Sequence, residues 1–65
     1  MDLRQARFER RMSQWQLAKE SGVHQSRISL AERHGWVLRQ DEKVNLAKAL
    51  GLQVGDIDWP LGETR

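Results

Sequence analysis

Apolar residues recur along this chain at spacings of three and four, which is the period of helices packed on a common core. A first amphipathic segment spans 3–11, with Leu3, Ala6 and Arg7 on one side and Met12 closing the turn that follows. Ser13 is placed to cap a second helix over 13–21. That helix has Gln14, Trp15 and Gln16 in its first turn and Leu17, Ala18 and Ser21 along its inner face. Gly22 ends it, as a residue free to take positive φ. A third helix is predicted from His24 or Gln25 to Arg33, burying Ile28 and Ala31, and a loop containing Gly35 occupies 34–39. The fourth starts at Gln40 or Asp41 and runs to Leu50. It carries Asp41 and Glu42 in its first turn, as the helix dipole favours, with Val44, Ala47 and Leu50 or Leu46 inward. Gly51 stops it, a last short turn covers Val54 to Trp59, and residues 60–65, from Pro60 on, are expected to form a flexible tail. Only six residues are Val or Ile and none alternate in strand fashion. The predicted fold class is all-α, with five helices.

Size then limits what such a fold can be. The chain has 65 residues, of which 25 are apolar, and reads as one domain with its core at about 3–59. A chain this small buries only about 60% of the surface its unfolded form exposes, so stability is expected to be modest. There is no cysteine, and His24 and His34 lack the partners of a structural zinc site, so neither a disulfide nor a metal is expected, and no cofactor. No apolar run approaches the roughly 20 residues of a membrane span, and Asp2, Arg4 and Arg7 do not lead into a signal-peptide core. The expectation is a soluble cytoplasmic protein, too short for a two-domain enzyme with its own cofactor fold. Charge adds a direction. Residues 1–40 hold eight basic side chains against four acidic ones, and residues 41–65 hold three against five. An arginine-rich first part joined to a mildly acidic end points to one face for a polyanion and another surface for something else.

The feature with most functional content is the pair of short helices, 13–21 and 25–33, joined by Gly22-Val23-His24. So tight a turn sets two helices at a steep angle and lets the second project into a DNA major groove. The run Met12-Ser13-Gln14-Trp15-Gln16-Leu17-Ala18, then Gly22-Val23-His24-Gln25-Ser26-Arg27-Ile28-Ser29, then Glu32, and later Leu46-Ala47-Lys48-Ala49-Leu50-Gly51, resembles the phage repressor and Cro type of helix-turn-helix domain, the XRE family. The resemblance covers about 3–59. It implies a compact five-helix, lambda-repressor-like domain that binds double-stranded DNA sequence-specifically as a transcriptional regulator. It also implies a dimer on a palindromic operator with the third helix in the major groove, in a bacterial or phage-encoded protein associated with the nucleoid. No separate ligand-sensing domain is expected.

Carried over residue by residue, the resemblance assigns base reading to Gln25, Ser26, Arg27 and Leu30. A glutamine amide matches adenine N6 and N7, a serine hydroxyl serves several bases, and an arginine suits guanine or a phosphate. Leu30 departs from the family's usual polar or basic residue. An exposed leucine contacts thymine methyls, or else it packs on the protein. Gln14, at a helix N-terminus, matches a phosphate contact. Trp15, Ser29, Arg33, Arg39 and Arg10 are further backbone candidates, with Arg11 beside them in place of the family's usual glycine. Arg7 and Glu32 match a structural salt bridge that fixes the recognition helix. A dimer contact is expected from Trp36, Val37 and Leu38 with Ile57, Trp59 and Leu61, and Trp59 is expected also to cap the core.

An enzyme is the weakest alternative, since neither histidine has a nucleophile, carboxylate cluster or glycine-rich phosphate loop beside it. The rival from another class is an antitoxin-type interaction module, because many antitoxins resemble the same domain. Such a protein binds a toxin partner through a second surface and autoregulates its operon. Membrane-surface binding by the first helix requires a broad apolar face that Leu3, Ala6 and Phe8 do not make.

Overall fold

The computed structural model describes residues 1–61. Their elements are α1 (Leu3–Glu9), α2 (Gln14–Ser21), α3 (Gln25–His34) and α4 (Gln40–Ala49), followed by one 3₁₀ turn, Val54–Asp56. The described chain is all-helical and has no β-strand. The expected flexible tail lies, for 62–65, outside the described residues. In place of a fifth helix the chain makes that single turn and straightens. Ile57 is extended (φ −116°, ψ 136°), and the Asp58 amide donates to the Met1 carbonyl at 2.7 Å, closing the N-terminus against the end of the domain.

Local chemistry accounts for most boundaries. The Asp2 carboxylate accepts from the Gln5 amide at 2.8 Å and starts α1. Ser13 begins α2 with a complete capping box: its hydroxyl accepts from the Gln16 amide at 3.0 Å and the Gln16 side chain accepts from the Ser13 amide at 2.9 Å. Gly22 takes φ 77° and returns its amide to the Ala18 carbonyl, ending α2 in the left-handed conformation that glycine tolerates best. The expected first helix, 3–11, is two residues too long. Arg11 sits at φ 55°, the one non-glycine residue with positive φ among the described residues, and the helix ends ahead of it. A side chain in that region costs of order 1–3 kcal/mol, so the surrounding contacts must hold it.

The core is Leu3, Ala6, Leu17, Val23, Ile28, Ala31, Leu38, Leu46, Ala47, Leu50 and Ile57, with Leu17, Ile28 and Leu46 the largest side chains sealed from solvent. α2 packs on both α3 and α4. Two expectations are corrected here. Leu38 and Ile57, expected at a dimer contact, are 3% and 4% exposed and belong to the core. The loop after α3 and the turn after α4 close the ends of a 65-residue domain, and Leu38 and Ile57 are among the apolar residues there that turn inward to do so.

Candidate nucleic-acid interface

A chain of side-chain hydrogen bonds runs from the core to the first residue of α3. Arg7, buried on α1, donates to Glu32 through two nitrogens, Nε to Oε2 at 2.8 Å and Nη2 to Oε1 at 2.9 Å, and through Nη1 to the Met12 carbonyl at 2.8 Å. The Glu32 side chain is 1% exposed. Its Oε1 also accepts from Gln14 Nε2 at 3.0 Å, and Gln14 Oε1 in turn accepts from Gln25 Nε2 at 2.7 Å. A buried carboxylate needs a cation and several donors to offset its lost hydration, and here it receives both. Gln14 opens α2 and Gln25 opens α3, so their bond brings two helix N-termini together, and each carries a positive partial charge. One hydrogen of Gln25 Nε2 is taken by Gln14. The second hydrogen and Oε1 are left as an adjacent donor and acceptor, the pattern that matches an adenine edge.

Around this pair the expected residues divide. Ser26 is exposed; His24 caps α3 by accepting the Ser26 amide on Nδ1 at 3.1 Å, and the Ser26 hydroxyl lies 2.8 Å from the same nitrogen. Ser29 and Leu30 are half-buried on the helix, and Arg33 is exposed at its end. Arg33 lines an open, polar-walled cleft of about 370 Å³ with Arg4, Arg7, Gln14 and Glu32. Trp15 is 70% exposed on the first turn of α2, over a shallow depression lined by Ala18, Val23, His24 and Gln25. Arg39 is exposed just ahead of α4, 3.6 Å from Asp41. Trp36, Val37 and Leu61 are all more than half exposed. Trp59 packs against the core and donates from Nε1 to the Val54 carbonyl at 2.9 Å.

Two expected DNA contacts are engaged within the protein instead. Arg27 donates to Glu42 at 3.0 and 2.8 Å, tying α3 to α4. Glu42 is 6% exposed, and the bidentate arginine offsets the cost of burying it. Arg10 donates from Nε to the Leu50 carbonyl at 2.5 Å, satisfying an orphan acceptor at the C-terminal end of α4. Sequence reasoning missed Glu42 as a partner because 15 residues separate it from Arg27, and no helical spacing links them. It also missed Phe8, whose ring lies under the guanidinium carbons of Arg4 at 4.9 Å and Arg7 at 5.1 Å.

The hydrogen bond from Arg27 holds the Glu42 carboxyl at about 2, against an ordinary 4.5. The Arg39 amide and the charges of Arg27 and Arg39 act in the same direction, and burial opposes them. The same pairing raises Arg27. A depressed carboxylate stabilises the fold above its unfolded pKa, and that contribution is lost as pH falls through the folded value. Urea midpoints of the wild type are therefore expected to fall as pH drops from about 4.5 towards 2. Glu42→Gln should flatten that part of the profile, and an unchanged slope would contradict the assignment.

The fold and these contacts define a small all-α domain in which two helices, joined by three residues, are locked at their N-termini by a glutamine pair anchored on a buried ion pair. No family model matches the chain, and neither a curated protein nor a solved structure does. Among the described residues no helix is long and apolar enough to cross a membrane, and no group of three or more acidic, histidine or cysteine residues is placed to hold a metal ion.

Proposed function

We propose that this domain is a sequence-specific, double-stranded DNA-binding regulator of transcription of the helix-turn-helix, XRE type. α3 enters the major groove and α2 lies across the backbone. The observation that carries the reading is the Gln14–Gln25 hydrogen bond. It sets both helix N-termini at one place and leaves the Gln25 amide a free donor and acceptor for a base edge. In this arrangement Gln25 and Ser26 read bases, with Leu30 beside them. Gln14, Trp15, Ser29, Arg33 and Arg39 follow the backbone. Arg27 and Arg10 are assigned to the protein's own structure. A homodimer on a palindromic site places two recognition helices one turn of DNA apart, about 34–36 Å. The exposed Trp36, Val37 and Leu61 are the surface for the second copy, with the rim of Trp59.

The test is an equilibrium titration of labelled duplexes with the wild type and Gln25→Ala, the duplexes varied one base pair at a time. Gln25→Ala is expected to lose about 1–3 kcal/mol on the preferred duplex and to flatten discrimination at one base pair. An equal loss on every duplex would remove Gln25 from base reading. An antitoxin-type partnership uses a second surface of the same domain, and its discriminator is capture of a toxin encoded beside the gene.

A further inference from the structure

The polar cleft beside Gln14 contains more positive charge than the protein itself neutralises. Three guanidiniums, Arg4, Arg7 and Arg33, face one carboxylate, Glu32, which leaves a net +2. Arg7 and Glu32 satisfy each other at 2.8 Å, so the surplus belongs to Arg4 and Arg33. Neither makes an ion pair among the described residues. Arg4 is not a loose surface side chain: its guanidinium lies 4.9 Å from the centroid of the Phe8 ring. Gln14, the first residue of α2, lines the same cleft, and its backbone amide has no acceptor among the described residues. A cleft of about 370 Å³ holds a phosphodiester and its hydration, since each water occupies ~30 Å³. Two guanidiniums without a counter-ion beside a helix N-terminus suit an oxyanion, because arginine donates in a planar fork that matches phosphate oxygens.

We propose that the cleft between Arg4, Gln14 and Arg33 holds one phosphodiester of the bound duplex, so that Arg4 on α1 is a phosphate ligand shared with Arg33 on α3. This rests on the DNA-binding reading above and deepens it. A clamp that bridges α1 and α3 through one phosphate fixes the depth at which α3 sits in the groove. It contributes to affinity without reading sequence.

The experiment measures the affinity of a random-sequence duplex between about 50 and 200 mM salt for wild type, Arg4→Gln, Arg33→Gln, the double variant and Lys48→Gln. Each neutralised phosphate contributes about 0.9 to the slope of log affinity against log salt. Arg4→Gln is expected to weaken binding on all sequences alike. The double variant should lose about 0.9 of slope in total, because the two arginines share a phosphate. Lys48→Gln, on the exposed side of α4, should keep the wild-type slope. Wild-type affinity for Arg4→Gln, or a wild-type slope for the double variant, overturns the proposal. So does a loss of about 1.8 in the double variant, which means two separate phosphates, or an equal loss in Lys48→Gln, which means a diffuse charge effect. Absence of salt-dependent duplex binding by the wild type overturns the DNA-binding reading itself and this clamp with it, an outcome distinct from failure at Arg4 alone.

Discussion

Glu32→Ala is expected to destabilise the domain by about 3–5 kcal/mol, because it leaves the Arg7 guanidinium buried without its counter-ion. A domain of this length has roughly 3–10 kcal/mol in total, so the variant should be largely unfolded at moderate temperature. Urea denaturation followed by far-UV circular dichroism measures the loss directly. The double variant Arg7→Met/Glu32→Leu separates two roles of the pair. Replacing a buried ion pair with apolar groups of similar size is often neutral or stabilising, so most of the stability should return. Duplex affinity should not return with it, since Gln14 has lost the Glu32 oxygen that orients it towards Gln25. Full recovery of affinity in the double variant would show that the ion pair holds the fold together and nothing more.

Leu17→Ala is the second large effect, expected at about 2–5 kcal/mol. Leu17 is fully buried on α2, the helix that packs on both α3 and α4, so the cavity opens where three helices meet and cannot collapse by moving one of them. Trp15→Ala, two residues away and 70% exposed, is the control, with stability expected within about 0.5 kcal/mol of wild type. Thermal or urea unfolding of the two variants side by side checks the pair. A large loss for Trp15→Ala would mean that its indole packs on the protein, and would remove it from the backbone contacts.

What the sequence made readable was local. The Ser13 cap, the Gly22 stop and the apolar faces of α2 and α3 depend on residues within four positions of each other, and the structure realises each of them. The Arg7–Glu32 pair was also anticipated, though only through family resemblance, since nothing in a spacing of 25 residues predicts it. Long-range polar choices were not readable. Arg10 and Arg27 are both basic enough for DNA contacts, but Arg27 finds the Glu42 carboxylate on α4 and Arg10 the Leu50 carbonyl just past its end, acceptors that only the folded chain brings near. The family resemblance puts Leu38 and Ile57 at a dimer contact, whereas a core this small recruits loop residues to close its ends. The Gln14–Gln25 bond escaped for the same reason. Both residues were assigned to DNA separately, and their 11-residue separation gave no sign that they touch.

Selection of duplexes from a random library by the purified wild-type protein, at physiological salt, tests the central claim most directly. Enrichment of a palindrome whose half-sites lie about one helical turn apart, with the preference at one position lost in Gln25→Ala, is the predicted result. A library that returns no enriched sequence would contradict sequence-specific recognition and turn the exposed Trp15 and Trp36 surfaces towards a protein partner.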